Sequence, residues 1–229
     1  LRQKDWSHRF HYGVDYFLSD NDQFNFYAYY NPYSRELDGN AYSQVSGTVN
    51  NTIRSLKEDT DLNTGTFYSL FYKHNFKKRE SEITADISNY FLRAENRTDY
   101  FYSGSENGMI YQTNTIKPKQ NAGSLRIDFK TLFWNKLNFS TGVKVKFQKS
   151  LDLYNEFEYN ENIYAIYGNL AYKKEKIDLS IGLRAEKSVA ELQDAFISPF
   201  LSFLPNTTLR YKLTSRQNIQ LSYNRSIKR

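Results

Sequence analysis

The chain has 229 residues, mean hydropathy −0.73 and no cysteine, which excludes a disulfide framework and a thiolate metal site. No segment approaches the roughly 18 consecutive apolar residues that a membrane helix requires, so a helical membrane protein is excluded too. The formal charge of +6 does not point to nucleic acid, because the Lys and Arg residues are scattered, with acids between them, and form no basic run.

In chain order, apolar residues recurring at every second position predict about ten strands, near 7–18, 23–33, 64–76, 82–92, 121–133, 137–148, 162–173, 177–188, 200–213 and 218–227. In the sixth, Leu137, Phe139, Thr141, Val143, Val145 and Phe147 share one face, opposite Asn138, Ser140, Gly142, Lys144, Lys146 and Gln148. The next pair places Tyr164, Ile166, Gly168, Leu170 and Tyr172 beside Ile177, Leu179, Ile181, Leu183 and Ala185. Asp178, Ser180, Gly182, Arg184 and Glu186 stand opposite. Leu209, Tyr211, Leu213, Ile219, Leu221, Tyr223 and Ile227 continue the apolar side. A one-residue slip would carry the charges onto it, so the register is well specified.

Such strands suit a wall with lipid on one side and water on the other: an all-β, antiparallel, up-and-down transmembrane barrel. Lengths of about ten residues match a tilted crossing of the hydrocarbon layer. Tyr and Phe, at 20 and 17 residues, exceed what a soluble core needs and suit interfacial girdles. The short intervals 19–22, 77–81, 134–136, 174–176 and 214–217 are predicted to be periplasmic turns. The long polar intervals 34–63, 93–120, 149–161 and 189–199 are predicted to be irregular external loops. No linker or composition break divides residues 1–229, so one domain is expected. Leu1 is not an initiator, nothing near it resembles a leader with its cleavage site, and Ser226-Ile227-Lys228-Arg229 lacks a terminal aromatic, so a segment of something longer is expected.

Several stretches also resemble a known family. Gly13-Val14-Asp15-Tyr16-Phe17-Leu18-Ser19-Asp20 resembles an opening hairpin of the outer-membrane β-barrel family found in TonB-dependent receptors of Bacteroidota. Tyr159-Asn160-Glu161-Asn162-Ile163-Tyr164-Ala165-Ile166-Tyr167 and Gly182-Leu183-Arg184-Ala185-Glu186 are similar to two later strands of that family. Leu204-Pro205 through Leu213, then Asn218 and Leu221 through Arg229, resemble its closing pair, with Leu204 in place of Phe and Ser226 in place of Arg. The resemblance implies part of a barrel of about 22 strands, integral to the outer membrane. It also implies a plug and a TonB-type energising complex that this chain does not itself supply.

Chemical motifs are scarce: there is no Gly-rich phosphate loop, H-E-x-x-H or G-x-S-x-G, and neither catalysis nor a cofactor is expected. His8 and His11 fall on opposite strand faces, and His74 lies by a turn, where water or a headgroup would satisfy it. The acids Glu58, Asp59 and Asp61, and Asp152, Glu156, Glu158 and Glu161, match no EF-hand spacing and read as solvated loops, so no metal is expected.

Arg126, Asp128, Lys130, Lys144, Lys146, Arg184 and Glu186 are predicted to line a wet lumen. Tyr100, Phe101, Tyr102, Tyr111, Tyr154 and Phe157 fall in predicted external loops, where they could stack on a ligand or partner. Alternatively, the 93–120 segment continues a hairpin above the membrane, with these rings packed on one another. The first reading of function is the barrel wall of a TonB-dependent receptor that admits a scarce nutrient. Others are a receptor-like barrel that docks a surface lipoprotein or another outer-membrane protein, a small closed ten-stranded barrel, and a soluble β-sandwich.

Overall fold

The structure, a computed structural model, describes residues 2–45, 51–77, 80–104, 108–133, 137–152, 154, 156–193 and 195–227. The predicted turn at 134–136 lies outside the described residues, as do 78 and 79 of the turn at 77–81 and the closing 228 and 229. Twelve strands form one antiparallel sheet. They are β1 (Arg2–Ser7), β2 (Phe10–Phe17), β3 (Asp22–Val45), β4 (Asn51–Phe76), β5 (Ser81–Gly104) and β6 (Gly108–Ile116). The remainder are β7 (Pro118–Phe133), β8 (Leu137–Asp152), β9 (Phe157–Lys174), β10 (Ile177–Leu192), β11 (Ala195–Lys212) and β12 (Asn218–Asn224).

Twelve strands replace the ten expected, but they occupy ten positions across the sheet. β1 and β2 lie end to end along β3, and β6 and β7 lie end to end along β5. Proline accounts for both breaks. Pro32 stands between Tyr30 and Tyr33, which pair with Phe10 and Ser7 on either side of the first gap, and it has no N–H to give the ladder. Pro118 opens β7 immediately after the second gap.

The expected irregular loops are corrected more deeply, because β3 runs for 24 residues, β4 for 26 and β5 for 24. Pairing persists from Asp22↔His74 to Val45↔Asn51, across most of the segment expected to be loop. Amphipathic alternation fades there because both faces are polar, while the backbone ladder and ion pairs within and between strands continue. Arg35 bonds Asp61 on the neighbouring strand, and Lys57 Nζ lies 2.6 Å from Asp59. The reading of 93–120 as a continued hairpin therefore holds for the backbone, with β5 and β6 paired from Asn96↔Ile116 to Gly104↔Gly108.

No second layer covers the sheet, and its buried apolar residues are only Ala28, Ala94, Ile163 and Ala165 among the described residues. A β-sandwich, which needs two packed sheets, is not what these strands build. One face carries a continuous apolar row, Ile127–Val143–Ile166–Ala185–Phe203, that crosses five strands by direct pairing. Large apolar residues on it stay open, Val143 at 43% and Ile166 at 59% exposure. The predicted parity is observed, including the switch to even positions in β9. Lys187 is an exception, pairing with Tyr164 and Leu201 on the apolar side. Ile227, expected among the apolar row, instead lies past the end of β12 and lines a cavity on the polar face together with Lys144, Lys146 and Glu186. The strand pattern stops at Asn224, so its parity no longer decides where Ile227 goes.

At the short-turn end His74 is satisfied by protein rather than by water or a headgroup. Its Nδ1 lies 2.7 Å from Asp22 Oδ1, which also accepts from Tyr72 Oη at 2.8 Å, while Ser19 Oγ donates to Asp22 Oδ2 at 2.6 Å.

Candidate functional site

The polar face is assembled by register. Arg126 pairs with Lys144, Lys144 with Ala165, and Ala165 with Glu186, so β7 to β10 present these side chains in one row. Asp128, Gly142, Tyr167 and Arg184 form the adjacent row, and Lys130, Ser140, Asn169 and Gly182 the next. All seven residues predicted for the wet side stand on this face.

The charges are organised rather than scattered. Arg126 Nε lies 2.7 Å from Asp128 Oδ2, and Arg184 meets Glu186 Oε2 through Nε at 2.8 Å and Nη2 at 2.7 Å. Arg126 and Lys144 are like charges directly opposite one another, an arrangement that costs stability unless a counter-charge intervenes, and Asp128 supplies one for Arg126. Lys130 leans toward the turn end, 3.9 Å from Glu82. Lys144 and Lys146 line a cavity of about 530 Å³ with Arg184, Glu186 and Glu161. A second cavity of about 730 Å³ shares Lys144 and Arg184 and continues toward Lys73 and Glu82.

Several participants carry no signal of their own in the sequence. Tyr167 Oη donates to Asp128 Oδ1 at 2.6 Å across the whole width of β8, and the Arg184 guanidinium lies over the Tyr167 ring at 5.4 Å. The bond passes over Gly142, where a Cβ would stand 2.6 Å from Asp128 Oδ1 and 2.7 Å from both Tyr167 Oη and the Ile127 carbonyl. Glycine is therefore required by space, not by backbone conformation. Gly182 is similarly confined, with Asn206 2.6 Å from the place of a Cβ. Glu161, grouped by sequence with loop acids, is buried in β9 and accepts from Ser188 Oγ at 3.1 Å. The parity switch in β9 would have placed Tyr167 and Glu161 on the wet side.

The six aromatic candidates are not brought together. Tyr100 and Tyr102 stack at 6.0 Å on one face of β5, and Phe101 packs on Tyr111 at 4.9 Å on the other. Tyr154 lies in the β8–β9 connection and Phe157 begins β9, both exposed. Tyr111 Oη also donates to Asp99 Oδ1 at 2.8 Å, beside Thr113 Oγ1 at 2.7 Å and Arg97 Nε at 2.9 Å. The Thr113 and Tyr111 hydroxyls, with Arg97, hold the Asp99 carboxyl below its ordinary value of 3.8. A lowered folded value means that this support is present above the unfolded value and is lost as pH falls through the folded one. Protection of the Gly108–Ile116 amides, corrected for the intrinsic pH dependence of exchange, should therefore hold from neutral pH to about 4 and fall below it, and Asp99→Asn should remove that loss.

A single sheet with one apolar face and one face of paired charges is the wall of an integral outer-membrane β-barrel. The chain belongs to the outer membrane protein beta-barrel family, whose model matches residues 74–229. Curated protein sequences yield no match. Among solved structures, the chain is similar to the ferric-catecholate import receptor Fiu from E. coli K12 in its open form, with TM-score 0.59 and 9% identity over 97% of this chain and 53% of that one. It is also similar to P. aeruginosa FpvA bound to a heterologous pyoverdine, with TM-score 0.56 and 10% identity over 97% of this chain and 41% of FpvA. The chain thus spans about half the length of the receptors it matches.

Proposed function

We propose that this chain forms part of the wall of a TonB-energised receptor that imports a scarce nutrient across the outer membrane. The observation that carries the reading is the polar face, where an ion-paired lattice from Lys73 and Glu82 through Arg126, Asp128 and Tyr167 to Arg184 and Glu186 runs opposite the apolar face. Charges so placed are affordable only beside water or a polar plug. Among the described residues the outer edges of β2 and β12 pair with no further strand, and lipid tolerates no open edge, so the remaining wall of a larger barrel would close the sheet. Fiu and FpvA, described by an iron chelate they import or bind, support chelated iron as the first substrate class to try. The polar residues would guide the ligand or hold a plug, with no covalent step.

The test is accumulation of radioactive iron from catecholate and pyoverdine chelates by cells whose only receptor is the full-length protein, with and without a proton gradient. Gradient-dependent accumulation is expected. None under either condition would favour the reading as a barrel that docks other outer-membrane proteins.

A further inference from the structure

We propose that the apolar face carries, at its upper border, a binding site for a phosphorylated glycolipid of the surrounding leaflet, formed by Arg93, Lys119, Lys149 and Asn121. The inference rests on the reading of that face as lipid-facing. A cavity of about 360 Å³ opens there, lined by these residues together with Thr64, Phe91 and Leu151. Register puts all of them on the apolar side: Thr64 pairs with Arg93, Arg93 with Lys119 and Lys119 with Leu151, while Phe91, Asn121 and Lys149 form the neighbouring row.

The site sits where the apolar pattern ends. Below Arg93 on the same face of β5 are Phe91 and Ile87, below Lys119 on β7 are Leu125 and Ile127, and below Lys149 on β8 are Phe147 and Val145. Arg93 and Lys119 face each other directly, and among the described residues neither has an ion-pair partner. Lys149 is already paired with Glu158 at 2.6 Å and Glu95 is paired with Lys117 at 2.8 Å, so Arg93 and Lys119 are the two cations left to take up an anion. Opposed cations of this kind repel and are relieved by an anion between them. Asn121 Oδ1 is buried without a hydrogen-bond partner, which supplies an acceptor for a sugar hydroxyl. Phe91 and Leu151 complete the pocket with apolar surface for the start of an acyl chain.

Native mass spectrometry of the purified full-length protein can read retention of three probes: a bisphosphorylated disaccharide lipid, the same lipid after dephosphorylation, and inorganic phosphate. The phosphorylated lipid should be retained and the dephosphorylated one lost by about tenfold or more, as for two charge-assisted hydrogen bonds. Arg93→Gln/Lys119→Gln should abolish the preference, whereas Arg93→Lys/Lys119→Arg and the polar-face pair Lys144→Gln/Lys146→Gln should keep it. Equal retention of both lipids, or unchanged preference in the Gln pair, would overturn the proposal. Saturation by inorganic phosphate would overturn it in favour of a soluble-anion site. A fluorophore on Ile127→Cys separates the two levels: no quenching by brominated acyl chains would mean that the face does not meet lipid, whereas quenching without lipid preference sinks only the glycolipid site.

Discussion

Val143→Lys is expected to destabilise the barrel by about 2–4 kcal/mol, the cost of a cation on the lipid face near the midplane. Val143 lies midway along the apolar stretch of β8, between Ile127 on β7 and Ile166 on β9, so a lysine there has no acid to meet and a long way to reach water. Lys144→Leu, one residue away on the other face, should scarcely alter stability. Its ammonium has no ion-pair partner among the described residues, and Arg126 opposite it would lose a repulsive neighbour. The midpoints of urea unfolding in lipid vesicles compare the two directly, and equal effects would mean that the faces have been assigned to the wrong environments.

Gly142→Val should have the next largest effect. A Cβ at that position meets both ends of the Tyr167–Asp128 bond and a backbone carbonyl, and only the two side chains can move aside. Displacing them leaves Asp128 without its hydroxyl donor and Arg184 without the ring beneath it, while crowding against the carbonyl remains. A cost of about 2–4 kcal/mol follows from a broken charge-assisted hydrogen bond plus overpacking. Tyr167→Phe removes the bond without the clash and should cost about half as much. Gly142→Val in the Tyr167→Phe background should then cost less than in the parent, which unfolding of the four proteins would reveal as a coupling.

The sequence-based expectations are accurate where one face of a strand is apolar and lose resolution where both are polar. From β7 to β10 alternation puts the seven charged residues on one face of the sheet, because a single slip would carry them to the apolar one. In the upper parts of β3, β4 and β5 the same backbone ladder continues without any apolar face to report it. Stretches such as Arg54–Asp61 therefore look like loop although they pair on both sides. The two breaks depend on single prolines whose partners lie on other strands, Pro32 opposite His8 and Pro118 opposite Asp152, and a linear reading has no access to that context. Contacts spanning three strands, such as Tyr167 to Asp128 over Gly142, require the register as well as the parity. The aromatic candidates divide between two faces for the same elementary reason that Tyr100 and Phe101 are adjacent in sequence.

The central claim is the opposition of a lipid face and a water face, and the absence of cysteine makes it directly measurable. Single cysteines placed in turn at each position from 143 to 148 of β8 in the full-length protein, in vesicles, can be scored with a membrane-impermeant maleimide and with a fluorophore quenched by brominated acyl chains. A period of two is expected, with positions 143, 145 and 147 quenched and unlabelled, and positions 144, 146 and 148 unquenched and labelled where the lumen admits the reagent. Quenching that ignores parity, or that falls on the even positions, would contradict it.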